Sequence, residues 1–583
     1  MKYCLIVLLF IITKVALPDD TAAILKLVET EIKLMENANK KGDEIHYRLF
    51  ELYSEKLKLI FSKENKAFLK SEDTAKHTNK PKYFLNTKTL YESTQSFGLS
   101  IFKKYPETMR KGDIYYTLAL NSRDFNQGVK AENWFLDAIK FARNNSLLHH
   151  AQTSLGDFYY NEKKYKDAIH YYEKTLNVKK DEWLPKQLLN LGWCYLKTGN
   201  SSHAIDLLKR AGELSKDTNY IDIRPQVHSN LVAFWVSDRR IEEGMAYYIK
   251  ELKDPFDLLI SLAKKSQEKG FYTETVNILH KITSSLDKKK DILRVEELLN
   301  LKLNFFRNFK RWDEHAEITQ EVVEFNKDIL KLEKKPELQY TDEIKENIKA
   351  VAGFHQVSIG VNENKISNVK LYFTLLQELD PSHAPEYLYF LGESHYSIKK
   401  YAEAIKYYQA GLISSKKLKD LEYAKKILTS YLALLGEEVI SQDETNKNLL
   451  IAYNSYVDFF PTEQVTHDIY PKLARLNLYY EKPKLTYANL EIFHKHFPQD
   501  LKLQQEIMKE LVNFVIKAKD DVYLVTLIVN LRAGFLSFTG TEFSMMELAL
   551  ADILFFKGFE SLKAKDYKTA LNTFTTVYQG EHY

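Results

Sequence analysis

The sequence predicts an all-α protein, an α-solenoid of antiparallel helix–turn–helix repeats in two arrays joined by a bend. Three observations predict it. The chain has 583 residues, more than one hydrophobic core usually serves, which calls for several domains or a repeat array. Glycine (19) and proline (13) are scarce, as in helical chains. Finally, one stretch, LGDFYYNEKKYKDAIHYYEKTL from Leu155 to Leu176, returns in altered form along the chain.

Composition narrows the function classes. With 45% hydrophobic and 13% aromatic residues the chain buries a large surface and is not disordered. The 83 basic and 79 acidic residues leave a net charge of +4, with lysines scattered beside glutamates as on solvated helix faces. No nucleic-acid footprint is present, and no nucleic-acid partner is expected.

The N-terminus, MKYCLIVLLFIITKVALPDD, has Lys2 and then an apolar run from Tyr3 to Ile12. That is a secretory signal pattern, and the run is too short to span a bilayer comfortably. Residues 1–23 are read as the signal peptide. Cleavage after Ala23 puts Thr21 at the minus-three position, a better residue there than the Lys14 required by cleavage after Ala16. Export to the periplasm is expected, with tethering by an uncleaved N-terminal segment as the alternative. No later apolar run has spanning length, so the mature chain is not expected to be an integral membrane protein. Only Cys194 would remain after cleavage, which precludes an intrachain disulfide and reads as a buried structural thiol.

Residues 24–111 read as a lysine-rich helical region with degenerate repeats, closing near KKYP at Pro106. Residues 112–328 form the first array. Leu155-Gly156, Tyr159, Ala168 and Tyr172 set its register. A shift of 36 gives Leu191-Gly192, Tyr195, Ala204 and Leu208, and a shift back of 37 gives Leu118-Ala119, Ser122, Ala131 and Phe135. Leu231, Trp235, Gly244 and Tyr248 continue it, as do Leu262-Ala263, Thr275 and Leu279, then a weaker unit with Leu303, Phe306, Trp312 and Val322. Residues 329–349, with a Lys-Leu-Glu-Lys-Lys-Pro run, read as an irregular bend or insert. The second array, 350–583, contains LGESHYSIKKYAEAIKYYQAGL with Gly392 and Ala404, and KGFESLKAKDYKTALNTFTTV with Gly558 and Ala570. Degenerate units there close at Pro381, Pro461 and Pro498. Two antiparallel helices that approach closely need small residues at their crossing, so Gly156 is expected against Ala168. Leu155, Gly156, Ala168, Gly192, Ala204, Gly392, Ala404, Gly558 and Ala570 are the expected packing residues.

These residues resemble the tetratricopeptide repeat, a helix–turn–helix unit of about 34 residues. The resemblance runs from about residue 75 to 583 and implies a right-handed α-solenoid. The early tryptophan of the family pattern is replaced here. The endings KKYP, FFP and HFP resemble those of bacterial envelope-assembly repeat proteins. RLFELYSEKLKLI, from Arg48 to Ile60, is similar to the opening of large periplasmic repeat proteins of predatory and gliding bacteria.

No phosphate loop, H-E-x-x-H or zinc-spaced cysteine pair occurs. His149-His150 and His494 with His496 point to different helix faces, so no bound metal and no cofactor are expected. No residue is assigned a catalytic role. The resemblance implies partner contacts along the first helix of each pair: Tyr116, Leu120 and Arg123; Asp157 and Tyr160; Leu189, Trp193 and Lys197; Tyr389, Glu393 and Tyr396. Trp193 reads either as a partner anchor or as packing between repeats. A clamp for a C-terminal carboxylate is not expected, because Asn304, of the right type, has Asn300 rather than lysine four residues earlier. The expected function is a non-catalytic scaffold binding proteins or peptides of the bacterial cell envelope, in an envelope-assembly, secretion or gliding-motility machine. A peptide- or glycan-binding module, or a helical subunit of an envelope enzyme complex, is the alternative.

Overall fold

The computed structural model describes residues 21–38, 42–71, 80–176, 181–359 and 365–579, which form 28 α-helices, two 3-10 turns and no strand. The expected signal segment lies outside them up to residue 20, while Thr21 to Ala23 open the first helix. The chain divides into two compact units, Met1–Ser284 and Ser285–Tyr583.

The first unit holds α1 (Thr21–Glu36), α2 (Asp43–Lys70), the single-turn α3 (Lys80–Tyr83) and α4 (Leu85–Lys104). Five helix pairs follow: α5 (Lys111–Asp124) with α6 (Gly128–Lys140), α7 (Asn145–Asn161) with α8 (Tyr165–Thr175), α9 (Leu184–Lys197) with α10 (Ser201–Leu214), α11 (Arg224–Ser237) with α12 (Ile241–Glu251), and α13 (Phe256–Glu268) with α14 (Tyr272–Ser285).

The second unit holds seven pairs: α15 (Ile292–Asn308) with α16 (Trp312–Leu330), α17 (Thr341–Ser358) with α18 (Ile366–Leu379), α19 (Ala384–Ser397) with α20 (Tyr401–Leu418), α21 (Leu421–Leu435) with α22 (Gln442–Phe459), α23 (Gln464–Tyr479) with α24 (Pro483–His496), α25 (Leu501–Lys517) with α26 (Asp521–Arg532), and α27 (Gly540–Lys563) with α28 (Tyr567–Gln579). In each unit successive helices stack, so the inner pairs bury their apolar stripes against their neighbours.

A shared turn makes the pairs. Lys163 and Lys399 sit at φ 60° and 61° where Gly199 sits at φ 91°. The amide after each closes back on the helix: Lys164 N–H donates to the Tyr159 carbonyl (2.9 Å), Asn200 to Tyr195 (2.9 Å) and Lys400 to His395 (2.9 Å). This is the left-handed helix ending that glycine usually supplies, here carried mostly by lysine.

All the expected packing residues from Leu155 to Ala570 are buried. The partner of the glycine differs from expectation. A Cβ on Gly156 would meet the Tyr172 ring at 3.0 Å rather than Ala168. Gly558 faces the Phe574 ring at 2.9 Å, and Gly192 and Gly392 face Leu208 and Tyr408. In all four the facing residue is sixteen positions on. The glycine makes room for a large side chain; the alanine four residues before that side chain lets the second helix come near enough to deliver it.

The bend needs correction. The non-helical stretch is residues 331–340, because 341–349 already belong to α17, and the two units part at Ser284–Ser285 rather than at 329–349. The physical reason is Glu296 on α15, only 1% exposed. Its carboxylate accepts the Gln339 N–H (2.8 Å), the Tyr340 N–H (2.9 Å) and the Thr341 hydroxyl (3.2 Å), which pins the end of the lysine-rich connection to α15 where α17 begins.

Candidate functional site

The row expected to meet a partner is made by the first helices of the pairs. In the first unit that row largely connects each first helix to the next. Tyr116 on α5 shares a hydrogen bond with Ser154 on α7 (3.0 Å). Asp157 on α7 accepts from Tyr172 on α8 (2.6 Å) and from Asn190 on α9 (3.2 Å). Trp193 on α9 donates its indole N–H to Asn230 on α11 (3.0 Å) and meets Phe234 edge-on at 4.9 Å. Arg123 forks onto neighbouring Asp124 (2.8 Å), Lys197 lies over the Trp193 ring at 5.7 Å, and Tyr160 stands 6.3 Å from Tyr165.

The second unit repeats the arrangement. Glu393 accepts from Tyr408 (2.6 Å), as Asp157 does from Tyr172. Tyr389 lies 6.0 Å from Tyr423 of α21, and the Tyr396 hydroxyl bonds Glu437 just beyond that helix. Tyr116, Asp157, Trp193, Tyr389 and Tyr396 therefore reach the following repeat, and Glu393 reaches the second helix of its own pair. Burial raises the Asp157 carboxyl above its ordinary value, with the two hydrogen bonds opposing. Burial pushes the Cys194 thiol up to about 12, which keeps it unreactive.

The row opens between α11 and α13. Ser229, Val232 and Ala233 on one side and Ser261, Lys264 and Lys265 on the other line a recess of about 330 Å³. Ala233 and Lys264 occupy the register position that holds Asp157 and Trp193 in earlier repeats. Alanine has no side chain to reach across, so the spanning contact is absent and space remains. Lys265 is held by Glu268 at 2.7 Å. Sequence reasoning did not foresee the recess; an alanine at a register position that holds Leu120, Asp157, Trp193, Glu393 and Phe559 in other repeats was the available signal.

One member of each histidine pair is held within the fold. His149 bonds Asp181 (2.8 Å) and His494 bonds Gln504 (2.7 Å). Among the described residues no group of three His, Cys, Asp or Glu side chains is placed to hold a metal ion, and no helix is long and apolar enough to cross a membrane. A polar core between α15 and α18 escaped sequence reading. His315, fully buried, bonds Tyr372 (2.8 Å) and Asn347 (3.1 Å), and Asn347 donates to Asn304 (2.7 Å). Burial pushes the His315 imidazole down to about 4. Asn304, at the carboxylate-clamp position, also donates to Asn300 (3.1 Å) and so serves the fold.

Comparison with known proteins agrees on the repeat. Residues 149–182 and 385–412 match one tetratricopeptide repeat model and 187–219 another. No curated protein matches the sequence. Solved structures with a likeness include the MamA protein (19% identity, 31% of this chain and 95% of that one, TM-score 0.25). Others are a tetratricopeptide repeat protein from Parabacteroides merdae (14%, 46% and 95%, TM-score 0.26) and the type IV pilus biogenesis factor PilW (13%, 43% and 93%, TM-score 0.23).

Proposed function

Because the chain carries tetratricopeptide repeats, which generally serve as protein-interaction scaffolds, we propose that it is a non-catalytic scaffold that holds a peptide segment of a partner protein. The observation that carries this reading is the recess between α11 and α13, where the contacts joining first helices give way to Ala233, two serines and two lysines. Its size suits a few residues of extended peptide, and its lining is mixed in charge, with Lys265 paired to Glu268 of the same recess. We place the scaffold in the bacterial cell envelope, in an assembly, secretion or gliding-motility machine. The support is the signal pattern before residue 24 and the aromatic–proline endings.

Cross-linking in the native cell, followed by purification and mass spectrometry, tests the reading. Specific proteins recovered by the wild-type chain and lost with Ala233→Trp support it. Retained glycan without protein partners overturns it in favour of a glycan-binding module. N-terminal sequencing of the mature protein from the exported fraction tests the location. A start near residue 24 is expected, and an intact Met1 in the membrane fraction would mean a tethered chain.

A further inference from the structure

The last described pair, α27 with α28, differs from the others in what lies against it. Along α27, Met545, Leu548, Asp552, Phe555, Phe559 and Leu562 follow one another at alternating spacings of three and four, a single stripe on a helix. All six are exposed, and Leu571 on α28 is 67% exposed. Counting from the crossing glycine shows what such a stripe is for. Asp552, Phe555, Phe559 and Leu562 stand to Gly558 as Glu386, Tyr389, Glu393 and Tyr396 stand to Gly392. Over the latter row lies α21: its Tyr423 meets Tyr389, and Tyr423 and Lys426 lie within electrostatic reach of Glu386. Leu189, the counterpart of Phe555 in α9, is 1% exposed where Phe555 is 50% exposed.

We propose that this face of α27 and α28 docks one amphipathic helix of a partner protein, in the place that α21 takes over α19 and α20, with a lysine set against Asp552. Two features select that occupant. The stripe runs about 25 Å along the helix, the length of a four- to five-turn helix. Its hydrogen-bonding members are replaced by Phe559 and Leu562, so the occupant is recognised by its apolar side chains. The charge at its middle disfavours a second copy. Antiparallel pairing of α27 with itself about the stripe's centre brings Asp552 close to the Asp552 of the second copy, and among the described residues no ion pair neutralises it. The proposal rests on the scaffold reading only in taking a protein as the occupant.

The test uses the full chain and a fluorescein-labelled peptide of its own residues 419–437, which contain α21, read by fluorescence anisotropy. Saturable binding is expected, weakened about tenfold by Phe559→Glu, by Leu562→Asp and by Asp552→Lys, and unchanged by Ala233→Trp. Because the three substituted residues are exposed, circular dichroism melts should match the wild type. Absence of saturation overturns the proposal, as does binding that Phe559→Glu and Leu562→Asp leave untouched. Sedimentation showing a dimer that Phe559→Glu dissociates would assign the face to a second copy instead. Loss of binding through Ala233→Trp alone would locate the peptide in the recess, leaving the scaffold reading intact and the terminal face without its occupant.

Discussion

At the scale of single residues, the crossing glycine and the side chain sixteen positions later act as one device. Where that side chain is tyrosine, its ring covers the glycine and its hydroxyl needs a partner. Tyr172 finds Asp157 and Tyr408 finds Glu393, each acid directly following the glycine. Where it is Leu208 or Phe574 no hydroxyl exists, and the residue after the glycine is Trp193 or Phe559. The acids thus follow the tyrosines. Tyr172→Phe should lower stability by about 0.5–1.5 kcal/mol and leave Asp157 one donor short, measurable by thermal melting. Gly392→Ala would press a methyl group into the Tyr408 ring. Overpacking of roughly 1–3 kcal/mol should exceed the helix-propensity gain of up to about 1 kcal/mol, so the melting temperature falls. Gly353 is the internal contrast: a Cβ there meets nothing within 4 Å, and Gly353→Ala should raise stability by about 0.5–1 kcal/mol.

At the scale of elements, the turns and the polar core govern stability. Lysine in the left-handed position of the α19–α20 turn carries a cost that glycine avoids. Lys399→Gly should therefore stabilise by about 1 kcal/mol in chemical denaturation, and Lys400→Gly, one residue on, should not. Between α15 and α18, buried His315 stays neutral down to about pH 4, whereas in the unfolded chain it takes a proton near 6.5. The unfolded state then binds more protons over that window, so stability is complete above about pH 6.5 and drains away as pH falls toward about 4. The full loss is on the order of 3 kcal/mol. Melting between pH 7 and 5 should show a slope that His315→Gln reduces. The helix pairs were legible in the sequence because glycine, alanine and aromatic residues recur at fixed offsets. The polar core was not, since a lone histidine and asparagines in degenerate repeats carry no periodic signal. Nor did Glu296 declare itself: its partners are backbone amides more than forty residues away.

At the scale of the whole molecule, the same side chains are available to join repeats or to meet partners, and most of the row joins repeats. Sequence offsets place the row on one helix face. They did not separate the two roles, because half-burial depends on how near the next first helix comes. Trp193 illustrates the point: it is large enough to anchor a partner and is instead hydrogen-bonded across to Asn230. The row is interrupted at Ala233, and no first helix follows α28 among the described residues; these are the two places where we propose that partners bind. A row that connects neighbouring repeats must couple the two residues of each bridge, such as Trp193 and Asn230. Amide hydrogen exchange of α9 and α11 in the full chain, compared among wild type, Trp193→Phe, Asn230→Ala and the double variant, tests it most directly. A coupling of about 1 kcal/mol in local opening free energy is expected, close to a fivefold change in exchange rate. Strictly additive effects of the two substitutions would contradict it.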